Sequence, residues 1–376
     1  MMKKVLVWGT GVNALDFVKG HRSLEIIAYI DNRKKDKEWG GIPILLPQEA
    51  ENILKRFFVV VAVSEHIYWE IKNQLNTLGL AEFSDYCFHG VYGKKVAIIY
   101  GNCHTGPIKE GLSISREFTK EYGFYPLREI QKIKQLEGKE LKEESIFRHC
   151  DLFLHQSIRK ENSYGEEYAS ENIIKRLKPG CRVVSFPNLY GLPRCFFPQI
   201  VMGEAAILRN GIGFYSFRDK FIERLYQEGF GKRYIADMIL KSQFTEEKLL
   251  KDGFNLFINK VKEREVDWDI KISEWILTNY KKHRMFYDVN HPSNEIVKYI
   301  VEQILETLNI TDKNLVLDYL LKLDYHEVPV YGYVMRTFGM EWSNDYILRK
   351  YSKSTLTNRQ IDLYEYVEQY IKWNCD

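Results

Sequence analysis

Two segments of the chain begin in the same way, with a short apolar run that ends in a glycine turn. The first is "VLVWGTG" at residues 5–11, and the second is "VAIIYGNC" at residues 96–103. Further short apolar runs follow each of them and alternate with stretches of helical spacing. Such alternation predicts a parallel sheet with helical crossover connections. The sequence therefore indicates an α/β protein that starts its sheet pattern twice.

The length of the chain supports a division into domains, because 376 residues are too many for one ordinary core. The run "FHGVYGKK" at 88–95 interrupts the strand pattern and is typical of a linker. We predict a small Rossmann-like parallel-sheet domain over residues 1–90 and a larger α/β/α domain over residues 95–310. A helical C-terminal extension is expected over residues 311–376, since no further strand–glycine pattern follows there.

Composition excludes several classes of protein. Lys and Arg outnumber Asp and Glu by only 54 to 51, so the chain lacks the basic field of a nucleic-acid-binding protein. The longest purely apolar run, "FFVVVAV" at 57–63, is far too short to span a membrane. The six cysteines show no metal-ligand spacing, which argues against a metal site and for a reducing cytoplasm. A homo-oligomer is compatible with this composition.

The first glycine turn, "GTGVNA" at residues 9–14, matches the G-x-G-x-x-A form of a dinucleotide-binding turn. Gly9 and Gly11 permit a phosphate to approach a helix N-terminus. Asp31 closes the second apolar run, where an acidic residue can hold ribose hydroxyls. The same glycines also suit a turn without a ligand. Binding of a nucleotide or nucleotide-linked sugar and a plain structural turn therefore both remain open.

The N-terminal runs resemble the small Rossmann-like domain of PglD-type sugar acyltransferases. The likeness rests on "VLVWGTGVNALDF", "IIAYIDN", "GGIPIL" and "VVVAVS" and covers roughly residues 3–85. In that family the domain helps to bind a nucleotide-linked sugar, and Gly9, Gly11 and Asp31 are the matching positions. The hexapeptide-repeat helix that usually follows there does not follow here.

Cys103 lies where the second apolar run opens into a turn. A nucleophilic thiol needs a base, a group that orients this base, and donors for an oxyanion. In "YDVNHPSN" at 287–294, Asp288 precedes His291 by three residues, just before a predicted helix at 293–309. The carboxylate can reach Nδ1 and leave Nε2 to accept a proton. As an alternative, Cys103 packs as a small apolar residue.

Candidate oxyanion or substrate residues are Asn102, beside the cysteine, and Gln156 and Asn188, at the ends of two later apolar runs. The carboxyl ends of parallel strands meet at one edge of a sheet, where binding sites gather. Ordinary loop hydrogen bonding is the alternative for Gln156 and Asn188.

The order Gly-Asn-Cys after a first strand and Asp-x-x-His before a last helix resembles the layout of SGNH hydrolases. A thiol stands here in place of their serine, and Asn102 in place of their acid.

The chain is also similar to the WcbI family of capsular-polysaccharide biosynthesis proteins, over roughly residues 95–340. The segments that carry the likeness are "GNCH" at 101–104, "DLFLHQSIR" at 151–159, "SFPNLYGLPRCFFPQ" at 185–199 and "DVNHPSNEI" at 288–296.

This resemblance implies binding of coenzyme A and transfer of an acyl group, in particular acetyl from acetyl-CoA, to a sugar or nucleotide-linked sugar. Its motif positions are Cys103, Gln156 and His291. Arg159 and Arg194 are candidates for the phosphates of coenzyme A, because Arg binds anions bidentately. Two alternatives remain: a thiol-dependent carbohydrate esterase, and a non-catalytic sugar-nucleotide-binding protein in which Cys103 only packs.

Overall fold

A computed structural model describes residues 3–33, 36–161, 163–202, 217–312, 327–342, 347–350 and 358–375. It comprises two compact units. The first contains Met1–Thr105 and Arg116–Val184, and the second contains Gly106–Ser115 and Ser185–Asp376.

The first unit begins with a six-stranded sheet. Its strands are β1 (Lys3–Trp8), β2 (Leu24–Ile30), β3 (Glu38–Trp39), β4 (Ile42–Leu45), β5 (Phe58–Val61) and β6 (Tyr86–Phe88), and its helices are α1 (Val12–Gly20), α2 (Pro47–Leu54) and α3 (Glu65–Thr77). The strand order is β3-β4-β2-β1-β5-β6. All neighbours pair in parallel except β3 and β4, which are antiparallel. This is the parallel sheet predicted from the first apolar runs.

A second sheet follows in the chain. Its strands are β7 (Lys95–Tyr100), β8 (Tyr122–Phe124), β9 (Cys150–Gln156) and β10 (Arg182–Phe186), and the helices along this stretch are α4 (Thr105–Ile114), α5 (Arg116–Glu121), α6 (Ile130–Gln135), α7 (Glu144–Arg148) and α8 (Ser170–Ile174). The strand order is β10-β9-β7-β8, and β7 pairs in parallel with both β8 and β9. Strand β7 is buried after its first residue, as its apolar run predicts.

One apolar cluster contains buried residues of both sheets, among them Trp8 and Tyr100. The segment predicted as a linker contributes Phe88 and Val91 to this cluster. Beside it lies a buried ion pair, in which Lys72 Nζ donates to Glu82 Oε2 at 2.6 Å. A buried charge is tolerated where such a partner compensates it. The two sheets therefore belong to one packed unit.

The second unit is mainly helical. Besides nearly all of α4, its elements are β11 (Ile200–Met202), β12 (Phe217–Asp219), α9 (Lys220–Gln227), α10 (Lys232–Lys241), α11 (Glu247–Glu265), α12 (Ser273–Asn279), α13 (Asn294–Thr307), α14 (Gly332–Phe338), β13 (Ile347–Lys350), β14 (Asn358–Ile361) and α15 (Leu363–Asn374). Strands β11 and β12 form one antiparallel pair, and β13 and β14 form another.

The predicted C-terminal extension is helical at α14 and α15. The strand pair β13–β14 was not expected from the sequence. Residues 313–326, 343–346, 351–357 and 376 of this extension lie outside the described residues. Across the part of the chain that the structure describes, no helix combines the length and apolar character needed to cross a bilayer.

Asp219 is fully buried, and its polar groups form hydrogen bonds with three helical segments. Its Oδ1 accepts from the N–H groups of Phe221 and Ile222 at 3.1 Å and so caps the N-terminus of α9. Tyr331 OH, directly before α14, donates to the same oxygen at 2.7 Å. The N–H of Asp219 donates to Tyr370 OH, in α15, at 2.6 Å. Burial raises the pKa of Asp219 to about 6, although the hydrogen bonds from Tyr331 and the two amides oppose the rise.

Candidate active site

The parallel pairing of β7 and β9 places Gly101 beside Gln156. Tyr100 is paired with His155, so the two strands end together at one edge of the sheet. A Cβ atom built on Gly101 would lie 2.5 Å from Gln156 Oε1. Glycine is therefore the residue that allows this close approach.

The turn that carries Cys103 is held by hydrogen bonds on both sides. The N–H of Asn102 donates to Gln156 Oε1 at 2.9 Å, and Asn102 Oδ1 accepts the N–H of His104 at 3.0 Å. Thr105, the first residue of α4, donates its N–H and its hydroxyl to the carbonyl of Asn102 at 3.0 and 2.9 Å. Asn102, His104 and Thr105 are buried, whereas Cys103 is partly exposed. The thiol thus lies on a constrained turn directly before a helix.

Gln156 is completely buried and is itself fixed. Ser170 Oγ donates to the carbonyl of Gln156 at 2.8 Å, and Gln156 Nε2 lies 3.5 Å from His104 Nδ1. Because its side-chain oxygen accepts from Asn102, Gln156 positions the cysteine turn. Its predicted role as an oxyanion donor stays a prediction. Ser170 was missed in the sequence, since nothing near it marks a contact with a residue 14 positions earlier.

In the second unit, Asp288 and His291 form the pair that their spacing predicted. His291 Nδ1 lies 2.7 Å from Asp288 Oδ2. Asp288 Oδ1 accepts the N–H groups of Asn290 at 2.7 Å and His291 at 2.9 Å. The Asp288 side chain is 2% exposed and that of His291 is 16% exposed. A buried carboxylate with three donors therefore fixes the orientation of a partly exposed imidazole.

The loop around this pair is closed by backbone contacts. The N–H of Tyr287 donates to the carbonyl of His291 at 2.9 Å, and Phe286 forms an antiparallel bridge with Pro292. Ser293 is the N-cap of α13, so the helix begins where the sequence predicts it. The carboxylate faces Nδ1, which assigns the proton of neutral His291 to Nδ1 and leaves Nε2 as the acceptor. The pair can accept and return a proton.

Other predicted site residues are divided between the units. Asn188 is half-buried in the second unit, where its Oδ1 accepts the N–H of Tyr190 at 3.2 Å. Arg159 is exposed in the first unit and Arg194 is exposed in the second. The structure groups Asn102, Cys103 and Gln156 in the first unit and Asp288 with His291 in the second; Gly9, Gly11 and Asp31 line one cleft of the first unit.

Four of the five remaining cysteines have a shifted pKa. Burial raises the pKa of Cys87 and of Cys195 to about 12. It also raises the pKa of Cys150 well above its ordinary value. A hydrogen bond from Cys150 lowers the pKa of its neighbour Cys181, which is partly exposed. Cys181 is therefore more acidic than Cys87, Cys150 and Cys195, a difference that the sequence did not single out.

Within the described residues, no three His, Cys, Asp or Glu side chains are grouped so that they could hold a metal ion.

The two mainly parallel sheets and the helices along the chain define an α/β protein. Residues 96–313 match the sequence profile of the family described as polysaccharide biosynthesis enzyme WcbI. This match covers more than half of the chain, and the protein belongs to the WcbI family. Residues 1–83 match a second profile, described as C2185-like, N-terminal. No curated protein matches the chain.

Among solved structures, the chain is similar to one of WcbI, a polysaccharide biosynthesis enzyme. That structure shows native WcbI without a disulfide bond between coenzyme A and one of its cysteines. The two proteins share 18% sequence identity with a TM-score of 0.57, over 74% of this chain and 89% of that chain. The likeness confirms the mixed α/β fold. The SGNH-like layout and the PglD-type likeness of the N-terminal domain stay predictions.

Proposed function

We propose that this enzyme transfers an acyl group, acetyl above all, from coenzyme A to a sugar hydroxyl of a surface polysaccharide or of its nucleotide-linked precursor. The observation that carries the proposal is the contact of 2.7 Å between Asp288 Oδ2 and His291 Nδ1. A carboxylate that orients an imidazole supplies a base for an incoming nucleophile and an acid for its leaving group.

In the first step, His291 Nε2 accepts the proton of the Cys103 thiol, and the sulfur attacks the thioester carbonyl of acyl-CoA. The tetrahedral intermediate collapses with release of coenzyme A, which recovers the proton, and the acyl group stays on Cys103 as a thioester. Helix α4 begins two residues after Cys103, and the partial positive charge at a helix N-terminus favours the developing negative charge.

In the second step, the sugar hydroxyl attacks the acyl-enzyme while His291 accepts its proton, and Cys103 leaves as a thiol after proton return. The N–H of Cys103, together with the amide of Asn102, Gln156 or Asn188, serves as oxyanion donor in each step.

Coenzyme A is the proposed co-substrate, with Arg159 and Arg194 as partners for its phosphates. For the similar solved protein, WcbI, the native form is distinguished by the lack of a disulfide between coenzyme A and a cysteine. This supports a thiol close to coenzyme A in the present protein. The cysteine usage supports a reducing cytoplasm as the setting.

The test is the mass of the intact full-length protein after exposure to acetyl-CoA without any sugar. We expect one acetyl group, which peptide mapping places on Cys103 and which Cys103→Ser abolishes. Cys181→Ser is the matched control and should still be acetylated. If wild-type protein turns over while Cys103 stays unmodified, His291 activates the sugar directly. Acetate release without an acceptor, at the rate of transfer, would instead identify an esterase.

A further inference from the structure

The six-stranded sheet carries a cleft of about 430 Å³ that the proposed acyl transfer does not use. It lies at the carboxyl ends of β1, β2 and β5, with Trp8, Asp31 and Val63 in its lining. Strand β1 stands between β2 and β5, so the strand order reverses at this point. In open parallel sheets, ligands bind in the crevice at such a reversal.

The turn after β1 is built for close approach of a ligand. Gly9 has a φ of +122°, and a Cβ atom there would lie 2.5 Å from the carbonyl oxygen of Ala62. Gly11, the N-cap of α1, has open space where its Cβ would be. Ser64, the N-cap of α3, lines the same cleft. Two helix N-termini therefore open into one cleft, which favours a group with negative charge such as a diphosphate.

Asp31 supplies a negative charge at another part of the cleft, whereas the two helix N-termini supply partial positive charges. Thr10 Oγ1 donates to Asp31 Oδ2, and the N–H of Arg33 donates to Asp31 Oδ1 at 2.8 Å. These two contacts fix the carboxylate, and each of its oxygens can accept another hydrogen bond. A fixed carboxylate of this kind suits the two neighbouring hydroxyls of a ribose. It repels a phosphate attached to either hydroxyl.

Branched apolar side chains line the cleft and are exposed in it. Val12 is 72% exposed and Ile67 is 39% exposed, and both contribute to its walls. Such side chains offer contact area for the flat face of a base. The volume lies near the lower end of the range of small-molecule sites. The sheet contains one strand–helix unit of the kind that binds a mononucleotide, whereas a dinucleotide-binding fold is built from two such units.

We infer that this cleft binds a nucleoside 5′-diphosphate with a free 2′,3′-diol and rejects the 3′-phosphorylated ADP portion of coenzyme A. The diphosphate lies at the N-termini of α1 and α3, and Asp31 accepts from the diol. Neither Cys103 nor His291 lines this cleft, so the inference can be tested separately from the proposed acyl transfer.

Calorimetric titration of the full-length protein tests the inference, with UDP, ADP and UDP-glucose as ligands and 3′-phosphoadenosine 5′-diphosphate, which differs from ADP only in its 3′-phosphate, as the discriminating probe. We expect UDP or ADP to bind at one site per chain, and the 3′-phosphorylated probe to fail to displace it. Tighter binding of UDP-glucose than of UDP would identify a nucleotide-linked sugar as the ligand. Equal binding would identify the nucleoside diphosphate itself.

Two variants locate the site. Val12→Asp places a negative charge at the first position of α1, where an acidic residue suits the helix, and should weaken UDP binding about tenfold. Leu15→Asp is the matched control on the same helix, 37% exposed and outside the lining, and should bind UDP as the wild type does. Asp31→Asn should weaken UDP binding and reduce the discrimination against the 3′-phosphorylated probe.

The inference is overturned if neither UDP nor ADP binds, if Val12→Asp and Leu15→Asp bind UDP equally, or if the 3′-phosphorylated probe competes as well as ADP. Unchanged UDP binding by Cys103→Ala separates this result from any failure of the acyl-transfer proposal.

Discussion

Asp288 Oδ2 lies 2.7 Å from His291 Nδ1, within a loop that the backbone closes around both residues. This contact holds the imidazole in one orientation before any substrate arrives. A catalytic group that is already oriented lowers the activation free energy, because less orientational entropy is lost on the way to the transition state.

Substitutions of this pair should have unequal effects on transfer. We expect His291→Ala to abolish activity, because no other group then accepts the proton. Asp288→Asn keeps the imidazole but presents an N–H donor or a neutral oxygen to Nδ1, and we expect about a hundredfold lower kcat. The serine-protease triad loses about ten-thousandfold on the same change, and a thiol needs a weaker base than a hydroxyl. Steady-state kinetics with acetyl-CoA measure both, and His283→Ala, at an exposed histidine, should be silent. Wild-type activity of His291→Ala would remove the histidine from the reaction.

A methyl group at Gly101 should disturb the cysteine turn. Its Cβ would lie 2.5 Å from Gln156 Oε1 and displace the acceptor of the Asn102 N–H. Leaving a buried N–H without a partner costs about 1–3 kcal/mol in the free energy of unfolding. Gly106→Ala is the control, because nothing lies within 4 Å of its Cβ position in α4. Urea denaturation of both variants checks the prediction, and equal stabilities would show that Gln156 can move aside.

Thiol labelling should divide the cysteines into groups. Cys87, Cys150 and Cys195 should react slowly with iodoacetamide at neutral pH, because burial shields them and raises their pKa. We expect Cys103 to react first and Cys181 to be its main competitor, since the Cys150 hydrogen bond lowers the pKa of Cys181. Peptide mapping in a time course, with Cys181→Ser as control, measures the order. Labelling of Cys103 no faster than that of Cys195 would favour the alternative in which Cys103 only packs.

Asp219 should make stability depend on pH. Its pKa is raised to about 6 in the folded protein, so the native state binds this proton more tightly than the unfolded chain does. Its contribution therefore falls as pH rises from about 4 to about 6, by up to about 3 kcal/mol. Asp219→Asn keeps an acceptor for the cap of α9 and removes the titration. The free energy of unfolding of the variant, relative to wild type, should thus increase between pH 4 and pH 7. A constant difference across this range would contradict the assignment.

The sequence alone determined the features whose partners are close along the chain. The strand and turn at 96–103 follow from a continuous apolar run and its glycine, and the strand at Cys150–Gln156 follows in the same way. The contact between Asp288 and His291 was predictable because the two residues are only three positions apart in one loop, so their side chains are close in most loop conformations.

Tertiary structure decided the features whose partners are distant in sequence. The bond from Asn102 to Gln156 joins residues 54 positions apart, and it exists because β7 and β9 pair in one particular register. The pairing of β13 with β14 was missed for the same reason, since a short strand with charged residues is stabilised mainly by its partner. Local spacing restricts a few backbone dihedral angles and can be read from the chain. Register and burial depend on the free energy of the whole packed unit, so only the folded structure shows that Gln156 holds the turn of Cys103.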